Sequence, residues 1–525
     1  MSASATLVRS AVVAGLMVLT VAPSAPRTPE ASAPSGPAQH RAAHNGAHAS
    51  AEATYRAHAV VRTEAQLRAA WADPRRTRIE LGADIYLRAC QMGDPIRESS
   101  YPLTLDGQGH RIQQTCFEKR LLRQDGTGHL VIKDVTLTRG GSDGPGAAVT
   151  TRGEITLVDS VVKQNLAEEP GGGIFSMRRA TIIRSVMTGN LANDDGGAVY
   201  ARRGGVRVFD SVISSNLVDG SGGAIGSTGD ILVVRSHIDG NTTDGDGGAL
   251  YTDEAGDVTV IDSTVDGNTA DGPGGAIFTL DGDVAIINST VNANRADDRG
   301  GAISGEADVL VIGSTIARNA AVAHVGGGIW SRGNTYVATS TIARNYAEGQ
   351  GGGILSAGNL TLVDSTVSDN VSGVAANVGV GDTLRSFGSI IGPARTEGVS
   401  GDVQPTSVTC RVSHSQSFGY NLTTHASCGL EGRRDLFRPE GPGLDLLADN
   451  GGSGETLLPQ ASSPVLDRIP GDRCSWRDYV DMLNGLVLFD GMIDPVKILA
   501  HDQRGIPRPS GTHCDLGAVE LEVAP

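Results

Sequence analysis

The sequence lacks features that would assign it to several common classes of protein. Acidic residues outnumber basic ones by 59 to 43, and the net charge of −16 disfavours nucleic acid or an anionic membrane as a partner, because both require a basic surface. The apolar run 11–22 after Arg9 is too short to span a membrane, but its length is typical of a signal-peptide core. We therefore expect an exported protein with no transmembrane span in the mature chain.

Aromatic residues and cysteines are also scarce. Aromatic residues make up 4% of the chain, which leaves few platforms for stacking on sugars. The six cysteines show no CxxC or Cys/His zinc pattern, so they indicate disulfides formed in an oxidising compartment. Among the possible pairings, local spacing favours Cys90–Cys116, Cys410–Cys428 and Cys474–Cys514.

Polar residues recur with a fixed period through the middle of the chain. Nine asparagines lie 25 to 27 residues apart, each five residues after a serine, and a Gly-Gly step follows nearly all of them. A fixed period of this length is typical of repeat architectures. The nine residues are Asn165, Asn190, Asn216, Asn241, Asn268, Asn294, Asn319, Asn345 and Asn370.

Apolar residues alternate with a period of two inside each repeat. In the first full repeat, Ile155 and Leu157 precede the serine, Val162 follows it, and Ile174 follows the glycines. This alternation indicates about three short strands per repeat, joined by bends. Such a coil must stack on copies of itself to bury its apolar edge. The sequence therefore predicts an all-β, parallel β-helix of about a dozen coils, right-handed by analogy with known families.

Stacking gives the asparagines a structural role. Their position relative to the apolar columns turns them inward at a corner, where each amide can bond the amides of neighbouring coils. An unpaired amide there would cost about 1–3 kcal/mol. We therefore interpret the column as a structural ladder and not as a set of sugar ligands.

Two columns of charged residues are expected on the outside. The residues before the serines alternate in sign from Asp159 to Asp262, which favours ion pairs between coils. A second column is acidic throughout, and it is either a row of solvated turn residues or a weak calcium site, since calcium prefers oxygen ligands. Its members are Asp230, Asp257, Asp283 and Asp308. Calcium is the only cofactor that the sequence suggests.

The ends of the chain differ from the repeats. Residues 1–22 are predicted as a signal peptide and residues 23–54, rich in Ala, Pro, Ser and His, as a flexible linker. Residues 55–128 hold the first coils, 129–392 the regular repeats, and 393–525 an irregular, disulfide-bonded C-terminal cap. Within residues 55–128, the stretch 63–71 predicts a short helix that covers the open end of the stack.

Two stretches resemble known families. Across residues 129–392, the GGAI step followed by an STVxxN strand resembles polymorphic outer membrane protein repeats. The end of the chain resembles the choice-of-anchor Q domain of secreted bacterial β-helix proteins. The matching segments are GYNLTTHASC (419–428), LADNGGSGETLLPQASSPVLD (447–467), DQRGIPRP (502–509) and CDLGAVE (514–520). The resemblance implies a secreted or cell-surface protein and implies no reaction.

The sequence shows no isolated catalytic constellation. A glycosidase needs two carboxylates beside the scissile bond, whereas the acids between the Asn and Gly-Gly steps recur with the repeat. They are Asp194, Asp195, Asp219, Asp244, Asp246, Asp271, Asp297 and Asp298.

The favoured function is therefore that of a monomeric, non-catalytic adhesin or cell-envelope module with a repetitive surface that binds carbohydrate or a surface protein. The alternative is a polysaccharide lyase or glycoside hydrolase of the pectin-degrading β-helix type. The best place for an active site would then be the irregular C-terminal region, around His414, His425, Asp435 and Asp467.

Overall fold

The computed structural model describes residues 57–397, 403–405, 408–474 and 500–522. These residues form a parallel β-solenoid of about 13 turns with one short α-helix, so the predicted fold class is confirmed. The predicted signal peptide 1–22 and the predicted linker 23–54 lie outside the described residues. Residues 475–499 also lie outside them.

Each regular coil has four strands, one more than the sequence predicted. In one coil they are Val149–Thr151, Ile155–Val158, Val161–Lys163 and Leu166–Ala167. Equivalent strands of successive coils pair in register, and we name the four stacks ladders 1 to 4 in this order. The strand of ladder 4 has only two residues, which is too short to show the alternation on which the prediction rested.

The strand bounds follow the repeat closely. Ladder 1 consists of Ile96–Arg97, Leu122–Gln124, Val149–Thr151, Ile174–Ser176, Val199–Ala201, Ile225–Ser227, Leu250–Thr252, Ile277–Thr279, Ile303–Gly305, Ile329–Ser331 and Ile354–Ser356. Ladder 2 consists of His58–Val61, Arg78–Leu81, Leu103–Asp106, Leu130–Lys133, Ile155–Val158, Ala180–Ile183, Val206–Phe209, Ile231–Val234, Val258–Ile261, Val284–Ile287, Val309–Ile312, Thr335–Ala338 and Leu360–Val363. The long strands Val378–Phe387 and Cys410–Ser417 then continue both ladders.

The other two ladders complete the coil. Ladder 3 consists of Ile85–Leu87, Arg111–Gln114, Thr136–Thr138, Val161–Lys163, Val186–Thr188, Val212–Ser214, His237–Asp239, Thr264–Asp266, Thr290–Asn292, Thr315–Ala317, Thr341–Ala343, Thr366–Ser368, Ile390–Ile391, Leu422–Thr423 and Leu436–Phe437. Ladder 4 consists of Gly141–Ser142, Leu166–Ala167, Leu191–Ala192, Leu217–Val218, Thr242–Thr243, Thr269–Ala270, Arg295–Ala296, Ala320–Ala321 and Tyr346–Ala347. Two small antiparallel pairs, Arg395–Glu397 with Val403–Pro405 and Ile469–Pro470 with His513–Cys514, lie outside the ladders.

The nine asparagines lie inside the coil at the corner between ladders 3 and 4. All are 0–1% exposed. In mid-stack, Asn268 Nδ2 donates to Asn294 Oδ1 at 3.0 Å, and Asn268 Oδ1 accepts from Asn241 Nδ2 at 3.0 Å. The ladder extends beyond the periodic residues, because Asn370 donates to Asn377 at 2.9 Å. Asn377 comes only seven residues after Asn370, so the period could not reveal it.

The glycine pairs meet two different requirements. The first glycine of the pair has a positive φ, as at Gly247 with φ 65°, a conformation that other residues adopt at a cost. The second allows close contact between coils, since a Cβ on Gly248 would come within 2.1 Å of the Gly275 carbonyl oxygen. Both positions therefore favour glycine.

The predicted helix runs from Glu64 to Ala72 and covers the first coils. Thr63 is its N-cap, and its hydroxyl accepts the Gln66 amide N–H at 3.3 Å. Leu67 and Trp71 are fully buried, and Trp71 Nε1 donates to the Arg123 carbonyl at 3.0 Å. The helix thus shields the apolar interior at the N-terminal end of the stack.

The C-terminal region does more than cover the last coil. Residues 440–474 and 500–522, here called the strap, run back along the outside of ladders 2 and 3. Thr290 and Thr315 donate their hydroxyls to the strap carbonyls of Ser453 and Glu455, at 2.8 and 2.7 Å. Outward side chains of ladder 2, including Leu310, share an apolar cluster with the strap. Four outward threonines of successive ladder-3 strands are therefore buried beneath the chain itself: Thr290, Thr315, Thr341 and Thr366.

Three disulfides stabilise the ends of the solenoid. They join Cys90 to Cys116, Cys410 to Cys428 and Cys474 to Cys514, which are the pairs that local spacing favours. Each closes a loop of 18 to 40 residues, so each limits the freedom of the unfolded chain.

Candidate binding groove

The outward face of ladder 1 forms the floor of a groove. The alternation of the strand places Ile174 and Ser176 inside, so the residue between them faces out. The inner columns repeat closely, whereas this outward column changes from coil to coil. Its members are Arg123, Thr150, Phe175, Tyr200, Gly226, Tyr251, Phe278, Ser304, Trp330 and Leu355.

Aromatic rings fill much of this floor. Phe175 and Tyr200 stack with centroids 6.0 Å apart and planes 6° apart, and Tyr251 and Phe278 stack at 5.9 Å and 12°. The first two rings are each only 6% exposed, so they cover one another and shape the floor. Tyr251 and Trp330 are partly exposed and accessible from the groove.

One wall of the groove is formed by the residues that directly precede the first, positive-φ glycine of each Gly-Gly step or its equivalent. This wall also departs from the repeat, and it contains Pro145, Pro170, Asp195, Ser221, Asp246, Pro273, Arg299 and Val325. Hydrogen bonds between coils order its centre. Ser221 N donates to Asp195 Oδ1 at 2.8 Å, and Asp246 N donates to Ser221 Oγ at 3.2 Å.

Carboxyl and phenol groups meet at the centre of the groove, in what we call the Asp–Tyr patch (Asp195, Tyr200, Asp246, Tyr251 and Asp253). Tyr251 donates its hydroxyl to Asp253 Oδ1 at 3.2 Å. Burial raises the pKa of Asp195 to about 6, and the neighbouring carboxylates add to this effect. Burial also raises the pKa of Asp246, and it raises the pKa of Tyr200 to about 12. The patch therefore presents both proton donors and acceptors in mildly acidic solution.

This pKa shift predicts a pH-dependent effect of Asp195→Asn. The folded protein holds the Asp195 proton up to about pH 6, against an ordinary pKa of 3.8, so the group's contribution to stability falls as the pH rises from 4 to 6. Because asparagine stays neutral, the melting temperature of the variant should rise relative to wild type between pH 4 and pH 7. Asp219→Asn, at an exposed turn position of the next coil, is the control. A difference that does not change with pH would contradict the assignment.

The N-terminal end of the groove opens into a cavity of about 540 Å³. Arg120 is held below it by an ion pair with Asp94 at 2.7 Å and by the Gly146 carbonyl at 2.8 Å. By contrast, the exposed guanidinium groups of Arg152 and Arg202 line the cavity and form no ion pair within the described residues. This end of the groove is therefore its most basic part.

A charged cluster lies near the C-terminal end of the groove. The Arg299 guanidinium lies 4.1 Å from the ring centroid of Trp330, within the range of a cation–π contact. Glu306 pairs with Arg299 and, at 3.5 Å, with Arg332. These contacts fix the orientation of Trp330.

Two parts of the chain match family models, and the groove crosses both. Residues 58–166 match the pectate lyase-like adhesive domain. Residues 248–400 match the right-handed β-helix region, in agreement with the predicted hand. The chain is similar to each family over part of its length. No curated protein and no solved structure matches it. The adhesive-domain likeness and the disulfides are consistent with an extracellular protein.

The acidic column predicted as a possible calcium site lies at the start of ladder 2. Each carboxylate accepts a backbone N–H from the next coil: Asp257 N to Asp230 Oδ1 at 3.1 Å, and Asp283 N to Asp257 Oδ1 at 2.9 Å. Asp308 continues the pattern with Asn334 N at 2.7 Å. In the described ranges, no group of three or more His, Cys, Asp or Glu is arranged to hold a metal ion. The geometry is that of turn residues which satisfy backbone donors.

Calcium binding by this column stays a prediction with a direct test. A cation that bridges Asp257 and Asp283 would relieve the repulsion between neighbouring carboxylates. Millimolar calcium should then raise the melting temperature of the protein above that measured with a chelator. Identical melting curves would remove the hypothesis.

Of the four C-terminal residues predicted as a possible active site, three take part in separate hydrogen bonds and one is exposed. His425 accepts the Ser427 amide N–H at 3.1 Å at the start of the 3₁₀ turn Ala426–Cys428. Asp435 accepts the amide N–H groups of Asn421 and Gly432, at 2.9 and 2.6 Å. His414 is exposed, and the Asp467 amide donates to Asp515 at 2.7 Å. These hydrogen bonds stabilise the local backbone of the C-terminal region.

No described helix is both long and apolar enough to cross a membrane.

Asp195 and Asp246 were predicted to belong to a set of acids that recurs with the repeat, but the wall position that they occupy carries a different residue in most other coils. The aromatic residues of the floor were not identified from the sequence, because the period reveals only positions that repeat. The residue that follows the first inward aliphatic residue of each ladder-1 strand changes from coil to coil. This variation is the sequence signal that could have identified the groove.

Proposed function

We propose that this protein is an extracellular, adhesin-type binding module that holds an uncharged, extended glycan in the groove along ladder 1. One observation carries the proposal. The floor of the groove places two stacked aromatic pairs beside the carboxyl and phenol groups of the Asp–Tyr patch. Outward residues of the other ladders also vary from coil to coil, but this combination of aromatic rings with hydrogen-bonding groups on one face is expected where that face recognises a sugar.

The chemistry of the groove favours hydroxyl-rich ligands without negative charge. The Asp–Tyr patch supplies carboxyl and phenol groups, which donate to and accept from sugar hydroxyls. Its clustered carboxylates would repel the carboxylates or sulfates of an acidic polysaccharide. Tyr251 and Trp330, partly exposed on the floor, add apolar surface for sugar rings.

Export and surface presentation form part of the proposal. The signal-peptide pattern in residues 1–22, the likeness to polymorphic outer membrane protein repeats and the choice-of-anchor Q-like motifs support secretion or cell-surface association. The adhesive-domain match is in accord with this location.

A second candidate is cleavage of the bound glycan. The raised pKa of Asp195 favours it, because glycosidases use a carboxylic acid that keeps its proton near neutral pH beside a second carboxylate. The Asp246 and Asp253 carboxylates are close enough to influence the pKa of Asp195.

A polysaccharide panel tests both functions. The full chain is incubated with neutral glucan, xylan and galactomannan and with acidic polygalacturonate, and both retention and new reducing or unsaturated ends are measured. Retention of a neutral polymer without cleavage is the expected result, and it should be lost in the double variant Asp246→Asn/Tyr251→Ala. Asp244→Asn, exposed on the same turn, is the control. Cleavage abolished by Asp195→Asn would establish the enzyme, and retention of polygalacturonate alone would contradict the proposed ligand class.

A further inference from the structure

A second cavity, of about 360 Å³, lies between the strap and the solenoid. The solenoid side is formed by Asp262, Asn288, Gly313 and Thr339, which occupy the repeat position just before each ladder-3 serine. The strap side is formed by residues 452–453 and 501–505. The cavity shares no residue with the groove along ladder 1.

The polar side chains of this column form different contacts where the strap covers them. Farther toward the N-terminus, Arg184 pairs with Asp159 and Arg235 pairs with Asp210, each at 2.7 Å. Inside the cavity, the side chains of Asn288 and Thr339 make no hydrogen bond within the described residues. Gly313 between them adds no side chain, and this leaves room for Asn288, whose Oδ1 would lie 2.6 Å from a Cβ at that position. The cavity therefore contains a row of unused donors and acceptors.

Thr339 gives the strongest indication that this cavity holds a ligand. It is 1% exposed, and its buried hydroxyl has no partner in the described part of the chain. Its φ is 44°, in the left-handed region that a β-branched residue rarely adopts. The equivalent residue of the preceding coil is Gly313 with φ 57°, and that of the following coil is Asp364 with φ 45°, so neither neighbour is β-branched. A strained, buried residue with an unsatisfied hydroxyl at the base of a cavity points to a ligand contact.

Exposure increases from the base of the cavity to its mouth. Thr339 is buried, Asn288 is half-buried and Asp262 is exposed. On the strap side, Ser453 Oγ already donates to the Gly313 carbonyl at 3.1 Å, and Arg504 already pairs with Asp502 at 2.9 Å. The deep part of the cavity therefore offers neutral hydroxyl and amide groups.

We propose that this cavity binds a single neutral sugar residue, either free or as one unit of a glycan. Its volume lies within the range of small-molecule sites, roughly 300–1,000 Å³. A hydroxyl and an amide, each able to donate and accept, match the hydroxyl groups of a sugar ring. The Asp262 carboxylate at the mouth adds a further acceptor. The proposal is independent of the groove and of its ligand.

Isothermal titration of the full chain with methyl glycosides tests the proposal. The probes are the methyl glycosides of glucose, galactose, mannose and N-acetylglucosamine, and their oligosaccharides distinguish a free sugar from one unit of a chain. Thr339→Gly and Asn288→Gly should each weaken binding about tenfold, since each removes a hydrogen-bonding group that lines the cavity. Thr339→Gly should leave the melting temperature unchanged or raise it, because glycine adopts this φ without strain.

The matched control is Asp134→Gly, at the same repeat position with φ 51° and outside the strap. Its affinity for the same glycoside should equal that of wild type. The groove variant Asp246→Asn/Tyr251→Ala should also bind the glycoside normally, which separates this site from the proposed groove function. Absence of saturable binding by every glycoside and oligosaccharide would overturn the proposal. So would an unchanged affinity in Thr339→Gly.

Discussion

Replacing Asn268 with leucine is expected to lower the free energy of unfolding by about 3 kcal/mol. Asn268 Nδ2 donates to Asn294 Oδ1 at 3.0 Å and to the Ile238 carbonyl at 3.1 Å. Its Oδ1 accepts the backbone N–H of Asn241 at 2.9 Å. Leucine makes none of these bonds and leaves buried polar groups without partners, at about 1–3 kcal/mol each. The loss should be large although the apolar core is untouched.

Urea unfolding of the purified chain, followed by circular dichroism, measures this loss. Asn193→Leu is the control, because Asn193 is exposed in a turn of the same repeat region. It should change stability by no more than about 0.5 kcal/mol. If Asn268→Leu were equally mild, the amide ladder would contribute nothing and its structural interpretation would fail.

The second large effect is expected for Arg508→Met in the strap. Arg508 Nε lies 3.0 Å from Glu520 Oε1, and both side chains are almost fully buried. Asp364 faces the same guanidinium from the solenoid. Removing the arginine leaves two buried carboxyls without a counter-charge, and the loss of one partner from a buried ion pair costs about 3–5 kcal/mol. The strap should then separate from ladders 2 and 3 before the solenoid unfolds.

Limited trypsin digestion at several pH values measures this separation. Burial raises the pKa of Glu520 to about 7 and that of Asp364 to about 6. Protonated carboxyls need no counter-charge, so cleavage within the strap of the variant should be faster at pH 8 than at pH 6. Arg411→Met, at an exposed position, is the control. Equal cleavage of the strap in Arg508→Met and wild type would show that the buried pair does not hold it.

The fold was predictable because its rule is local and repeated. Ile155 and Leu157 show the alternation of a strand, and the 25-residue period shows the stack. The amides of the asparagine period lie in one ladder inside the coil. The period could not reveal Asn377, which reaches the end of the same ladder from a different part of its coil. Periodicity detects what repeats and misses what replaces a repeat.

The strap was harder to predict because its contacts join residues far apart in sequence. Thr290 bonds Ser453, and the apolar cluster brings Leu310 beside Leu516. One local signal was present: the strands 284–287 (VAII) and 309–312 (VLVI) are apolar on both faces, which indicates burial on both sides. The partner of that second face could not be read from the strand alone.

The groove could not be predicted from the number of aromatic residues in the sequence. The low aromatic content suggested few stacking platforms, yet the coil places Phe175, Tyr200, Tyr251, Phe278 and Trp330 on one face. These residues lie far apart in sequence and become neighbours only when the chain coils and their strands pair. The raised pKa of Asp195 likewise depends on burial between coils.

Hydrogen exchange with and without a retained neutral polysaccharide tests the central claim most directly. The full chain is incubated with the glucan, xylan or galactomannan that it retains, and backbone exchange is mapped by mass spectrometry. Protection is expected at the wall turns 193–196, 219–222 and 244–247, which frame the Asp–Tyr patch, with little change along ladders 3 and 4. Protection confined to those ladders or to the strap, or no retention of any neutral polymer, would contradict the assignment of the groove as the binding surface.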